Sequence, residues 1–223
     1  MMYGLEDPLQ CLYRDAPKKS VYKENILTRI TAFHETELRE KTKSNSNMTY
    51  LNVSVSGLRG RHHPVLSSMI TAHDVQKSRP HLKMLCKDYF TYEKRASQSG
   101  GSPHCRSCSA ANQEPPVNNP SENLSHILTE CSAYSEIRNR ILPEFSDLCK
   151  QSKSNLNFCK ILNDKNKLVQ FILDPTSLNL QQRISVSDPK VDPLIKLARD
   201  YCFSVHTKRM QLLKQKMNEN STK

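Results

Sequence analysis

Four residues in the middle of the chain have the types and spacing to hold a metal ion. Cys105 and Cys108 are two residues apart; His126 follows after a gap of seventeen, and Cys131 after four more. Two cysteines three positions apart in a turn can set both thiolates on one ion. Three sulfurs and one imidazole nitrogen form a closed tetrahedral set, which suits structural Zn2+ and leaves no open position for catalysis. The long gap carries Glu114-Pro-Pro116 and Asn118-Asn-Pro-Ser121 and reads as an excursion that leaves and returns. In a stretch this poor in apolar residues, an ion would supply folding energy that a core does not. His104 and Cys149 are competing ligands, and three ordinary thiols beside a helix-surface histidine is the plainer alternative.

The elements that must position these residues read as helices. Ser20 precedes Ile26, Leu27, Ile30, Phe33 and Leu38 at steps of three and four, predicting a helix over about 20–41. Tyr50 to Val55 alternates and predicts one short strand. Two helices are expected over 65–77 and 80–95, divided by Pro80 at the first position of the second. Residues 97–123 read as loop. Helices then resume over 121–130, 133–150, 155–163 and 165–174, the last stopped by Asp174-Pro175. A final helix begins near Pro193, with Leu194, Leu197, Tyr201, Val205, Met210 and Leu213 on its apolar side. The expectation is a mainly α, irregular multi-helix assembly with a small zinc-stabilised loop-helix segment and at most one short strand pair. Three regions follow: a basic helical stretch over 1–96, the Cys3His segment over 97–150, and a C-terminal helical region over 151–223.

The 223 residues carry 33 Lys+Arg against 22 Asp+Glu, a formal net charge of +11, with no Trp and five Gly. A chain of that length can bury a core, and so basic a balance favours polyanionic partners. No apolar run approaches the roughly 20 residues of a membrane span. The N-terminus has no basic segment followed by an apolar one, so an intracellular, reducing location is expected and the eight cysteines read as thiols or ligands. Neither a membrane nor a small-molecule substrate is expected as a partner. Among the sequence motifs of catalysis, HExxH, a glycine-rich phosphate loop and the G-x-S-x-G elbow are missing, and no two aspartates are adjacent. No catalytic or cofactor-binding residue is assigned beyond the metal ligands.

Charge concentrates in two places. Residues 57–95 hold 8 Lys+Arg against 3 acids, and residues 196–223 hold 7 against 2. Basic side chains neutralise phosphates while aromatics stack on unpaired bases. Arg59, Arg61, His62, His63, Arg79, Lys83, Lys87 and Tyr89 are therefore the candidate contacts to RNA or DNA. The 208–216 cluster is short and interrupted, compatible with a nuclear signal or a solvated helix face.

The segment Cys105-Arg-Ser-Cys108, followed by Glu122-Asn-Leu-Ser-His126-Ile-Leu-Thr-Glu-Cys131-Ser-Ala-Tyr134-Ser-Glu-Ile-Arg138, resembles the C-terminal zinc-binding segment of non-LTR (LINE-like) retrotransposon reverse transcriptases. Leu58 to His63, Arg79 to Leu85, Phe171 to Leu180 and Arg199 to Phe203 look like the stretches flanking that segment. The resemblance implies Cys105, Cys108, His126 and Cys131 as zinc ligands, and a role in gripping template RNA or target DNA. The polymerase palm and endonuclease of that family are absent from this sequence, so neither activity is expected of the chain on its own.

Overall fold

The stripe of the last helix organises everything else. Val191, Leu194, Ile195, Ala198, Tyr201, Cys202 and Val205 recur at steps of three and four and are all buried. They form one face of a helix spanning Val191–Ser221. Asp188 secures its start: its side chain accepts from the Lys190 amide at 2.8 Å, and its carbonyl from Val191 at 3.0 Å. The stripe differs from the expected one in its distal half, where Met210 is exposed and Arg209 is buried.

In the computed structural model the described residues are 19–44, 49–51, 63–111, 120–152, 157–177 and 188–221. In chain order the helices are α1 (Lys19–Ser44), α2 (Pro64–Ser67), α3 (Ala72–Leu85), α4 (Tyr92–Ser99), α5 (Arg106–Ala111), α6 (Ser135–Lys150), α7 (Phe158–Leu162), α8 (Lys165–Leu173) and α9 (Val191–Ser221). A π-helical turn (His126–Glu130) and a 3-10 turn (Ser132–Tyr134) precede α6. The protein is mainly α-helical. Among the described residues the β structure is a single antiparallel bridge between His104 and Ser121. The strand expected over 50–55 falls mostly outside the described residues.

Helix α9 lies against α3 and α6, with further contacts to α2, α5, α8 and the π turn. One continuous core results, with Val65, Met84 and Leu85 from the N-terminal region and Ile127, Leu128, Tyr134, Ile141 and Phe145 from the middle. Phe158, Phe171 and Ile172 complete it, and the three rings of Phe145, Phe158 and Phe171 sit 5.4–6.5 Å apart, centroid to centroid. Arg199 of α9 adds polar ties, donating to the Ser68 carbonyl at 2.9 Å and pairing with Asp74 at 2.8 Å. Asp74 also completes a capping box with Thr71 at the start of α3. No described helix is long and apolar enough to cross a membrane.

Two expectations about α3 are corrected. Pro80 does not begin a helix but lies buried inside one. A mid-helix proline forfeits one backbone bond and costs about 3 kcal/mol. Burial of Ser78, Pro80, His81, Met84 and Leu85 on that face works against the cost. The helix also stops at Leu85 rather than 95. The Lys87 amide bonds the Met84 carbonyl at 3.1 Å and the Asp88 amide the Lys83 carbonyl at 2.7 Å, the pattern of a Schellman cap. Lys87 holds the left-handed conformation (φ 50°) that such a cap usually gives to glycine. Thr91 then caps α4, accepting from the Lys94 amide at 3.1 Å.

Candidate metal centre

Each ligand pair is delivered by a different local device. The Cys105 amide donates to the Pro120 carbonyl at 3.0 Å and the Glu122 amide to the Pro103 carbonyl at 2.8 Å. These two bonds tie the strand-like approach to Cys105 against the start of the second ligand segment. Immediately after Cys105 the chain turns into α5, which brings Cys108 round to the same side. His126 and Cys131 are set by the π turn: the Cys131 amide bonds the His126 carbonyl at 2.8 Å. In a regular α-helix residues five apart point about 140° away from each other. The wider π turn closes that angle, a recurrent device at functional positions. Asn123 begins the turn, its side chain accepting from the His126 amide at 2.8 Å.

The result is one cluster. Cys105, Cys108, His126 and Cys131 are all buried, and their ligand atoms lie within 4.8 Å of one another. The Cys105 and Cys131 sulfurs are 3.8 Å apart, Cys108 and Cys131 3.3 Å, and Cys108 Sγ to His126 Nε2 3.3 Å. Four ligands at about 2.3 Å from a tetrahedral ion would have sulfurs roughly 3.8 Å apart. The spacing therefore fits a metal ion, and all three cysteines are free thiols. His104 is exposed and Cys149 is buried on α6, and neither belongs to the cluster. The hydrogen bond between Cys105 and Cys131 holds the Cys105 thiol well below the usual thiol range and pushes Cys131 up.

Residues that spacing alone did not single out complete the surroundings. His126 faces the sulfurs with Nε2, and its Nδ1 is buried with no hydrogen-bond partner among the described residues. Glu130, one π turn on, brings a carboxylate oxygen to 3.9 Å from that nitrogen and is itself paired with Lys165. Carboxylates placed there commonly orient a metal-bound imidazole. Ser107, between the two cysteines, shares a 2.8 Å hydrogen bond with the buried Tyr134 hydroxyl. The Tyr201 hydroxyl of α9 donates to the Leu128 carbonyl inside the π turn. An acid at the fourth position after a histidine, and a serine between paired cysteines, are the signals that could have found Glu130 and Ser107.

The candidate nucleic-acid contacts are scattered. Arg59, Arg61 and His62 lie outside the described residues. His63 is 3 % exposed and belongs to the interior. Its Nδ1 accepts from the Val65 amide at 3.2 Å, so Nε2 carries the proton and donates to Asp174 at 3.1 Å. Tyr89 is 5 % exposed, its hydroxyl 2.9 Å from His206 Nδ1, so no base can stack on it. Lys87 is spent on the α3 cap, its ammonium bonded to Thr49 at 3.1 Å and 5.3 Å above the Tyr50 ring. Arg79 and Lys83 remain exposed one turn apart on α3, with no ion pair among the described residues. The neighbouring Phe90 is 49 % exposed.

Comparison with known proteins finds no matching family model, no curated relative and no matching solved structure.

Proposed function

We propose that the chain is a zinc-stabilised nucleic-acid-binding module, the C-terminal part of a LINE-like reverse transcriptase that grips template RNA or target DNA. The observation that carries this reading is the buried Cys105–Cys108–His126–Cys131 cluster, whose donor set and closed geometry suit structural Zn2+. Such an ion locks a loop-rich segment in place and does no chemistry. The exposed cations Arg79 and Lys83, the exposed Phe90, and the net charge of +11 support a polyanion as the partner. Nucleotide addition and strand cleavage belong to segments other than these 223 residues. The thiol cluster fits a reducing, intracellular setting.

Fluorescence anisotropy with 20-nucleotide single-stranded RNA and DNA, read from 50 to 200 mM salt, tests the binding. Affinity should fall steeply with salt for both strands. Absence of binding at 50 mM salt would leave an interaction protein or an inert retroelement remnant as the better reading. Incorporation of nucleotide by the isolated chain in a primer-extension assay would overturn the non-enzymatic part.

A further inference from the structure

Among the residues of α9 whose burial is described, Arg209 is the last buried one, 2 % exposed, and it lies 87 positions from its ionic partner Glu122, which is fully buried. The rings of Tyr89, Phe90 and Tyr92 surround the guanidinium at 5.5, 5.6 and 5.9 Å. The other oxygen of Glu122 lies 3.6 Å from Cys105 Sγ, and its backbone is bonded to Pro103 and Glu93 at 2.8 and 3.3 Å. One carboxylate therefore touches a metal ligand on one side and the cation of a distant helix on the other.

A buried ion pair does not by itself stabilise a fold, since desolvation offsets its attraction. This pair has a further charge beside it. Three thiolates, one imidazole and a divalent ion sum to −1, and Glu122 makes the neighbourhood −2. Arg209 is a buried cation paired with the oxygen of Glu122 that faces away from Cys105. Beyond Arg209 the helix presents exposed or half-exposed residues, from Met210 to Gln215.

We propose that Arg209 is the counter-ion of the metal centre, so that the negative charge of the loaded four-ligand site and Glu122 together hold α9 in place at Arg209. This rests on the zinc reading above. The centre then acts as a clasp between regions far apart in sequence, beyond its local role in the Cys105–Cys131 segment.

Hydrogen exchange read by mass spectrometry on the full chain tests it, with zinc alone added or chelated. Chelation should speed exchange about tenfold or more in both 104–131 and 203–212, and added zinc should restore both. A double variant, Glu122→Gln with Arg209→Met, removes both charges without stranding either. It should still bind one zinc, yet 203–212 should exchange quickly with or without it. The proposal is overturned if chelation loosens only 104–131 in the wild type, or if 203–212 in the double variant still tracks zinc. Should chelation unfold the whole wild-type chain, the zinc-loaded double variant decides. A wild type that takes up no zinc overturns both readings, and its stoichiometry tells this outcome from the others.

Discussion

The backbone amide of Cys131 donates to the carbonyl of His126 across five residues, at 2.8 Å, and the side chains of the same two residues converge on one point. Hydrogen bond and ligand geometry are thus the same feature seen from backbone and side chain. A four-residue gap between ligands is awkward for an α-helix and natural for a π turn. Deleting one residue from Ile127–Glu130 would return the turn to α geometry and swing Cys131 away from the cluster.

Metal content is the most direct check. Purified protein should carry about one zinc per chain, and a Cys105→Ser/Cys108→Ser variant close to none. Structural zinc contributes on the order of 10 kcal/mol to a small domain, comparable with the whole stability of many folds. Chelation should therefore lower, or abolish, the cooperative melting transition of the chain followed by circular dichroism. Cooperative melting at the same temperature with and without chelator would sink the idea.

Glu130 should matter to affinity while leaving stoichiometry alone. Glu130 brings its carboxylate to 3.9 Å from the buried His126 Nδ1, and Glu130→Gln removes the charge placed to orient that imidazole. A competition titration against a chromophoric chelator should show zinc held about tenfold more weakly. Unchanged affinity would mean that the turn alone fixes the ring.

For nucleic acid, the exposed pair on α3 is the discriminating surface. Arg79→Glu with Lys83→Glu should weaken RNA and DNA alike. On single strands the salt slope should become shallower by about 0.7 for each phosphate that is no longer neutralised. Tyr89→Phe, by contrast, should cost about 1 kcal/mol of stability through the lost bond to His206 and leave binding unchanged once folded. The opposite ranking would move the binding surface elsewhere.

Acid sensitivity has a specific source in His81. Burial drives its pKa from 6.5 down to about 4, against the partly compensating Leu173 carbonyl bond and Asp174, with Arg199 and His63 adding to the depression. The folded state keeps the ring neutral while the unfolded chain protonates it below about 6.5. Its contribution is therefore whole above pH 6.5 and lost as pH falls toward 4, to the extent of roughly 3 kcal/mol. Urea midpoints between pH 7 and 4.5 should fall, and less so in His81→Gln, whose amide can still reach the Leu173 carbonyl. Equal slopes in both proteins would assign the acid limb to the thiol cluster instead.

The grouping of Cys105, Cys108, His126 and Cys131 was readable because sulfur and imidazole at those spacings leave few alternatives, and the helical class because apolar steps of three and four recur along the chain. The π turn was not, since Ile127 and Leu128 satisfy a helical period whichever way the turn winds. Nor was the division of Tyr89 from Phe90, two adjacent aromatics of which only the register of the α3 cap decides the buried one. That cap depends on Lys87 in a conformation its side chain disfavours, so no residue preference announces it. His63 misled for a related reason: a histidine beside three basic residues looks like surface, and its partner Asp174 lies 111 positions away.

The bridge between His104 and Ser121 gives the metal segment an unusual freedom. Because two backbone bonds hold its feet together, the separation of the ligand pairs is set at Cys105 and Glu122, and the number of residues passing between Ala111 and Pro120 is decoupled from it. The bridge is therefore a buckle: backbone bonds alone set how the Cys105–Cys108 half of the cluster faces the half that carries His126 and Cys131.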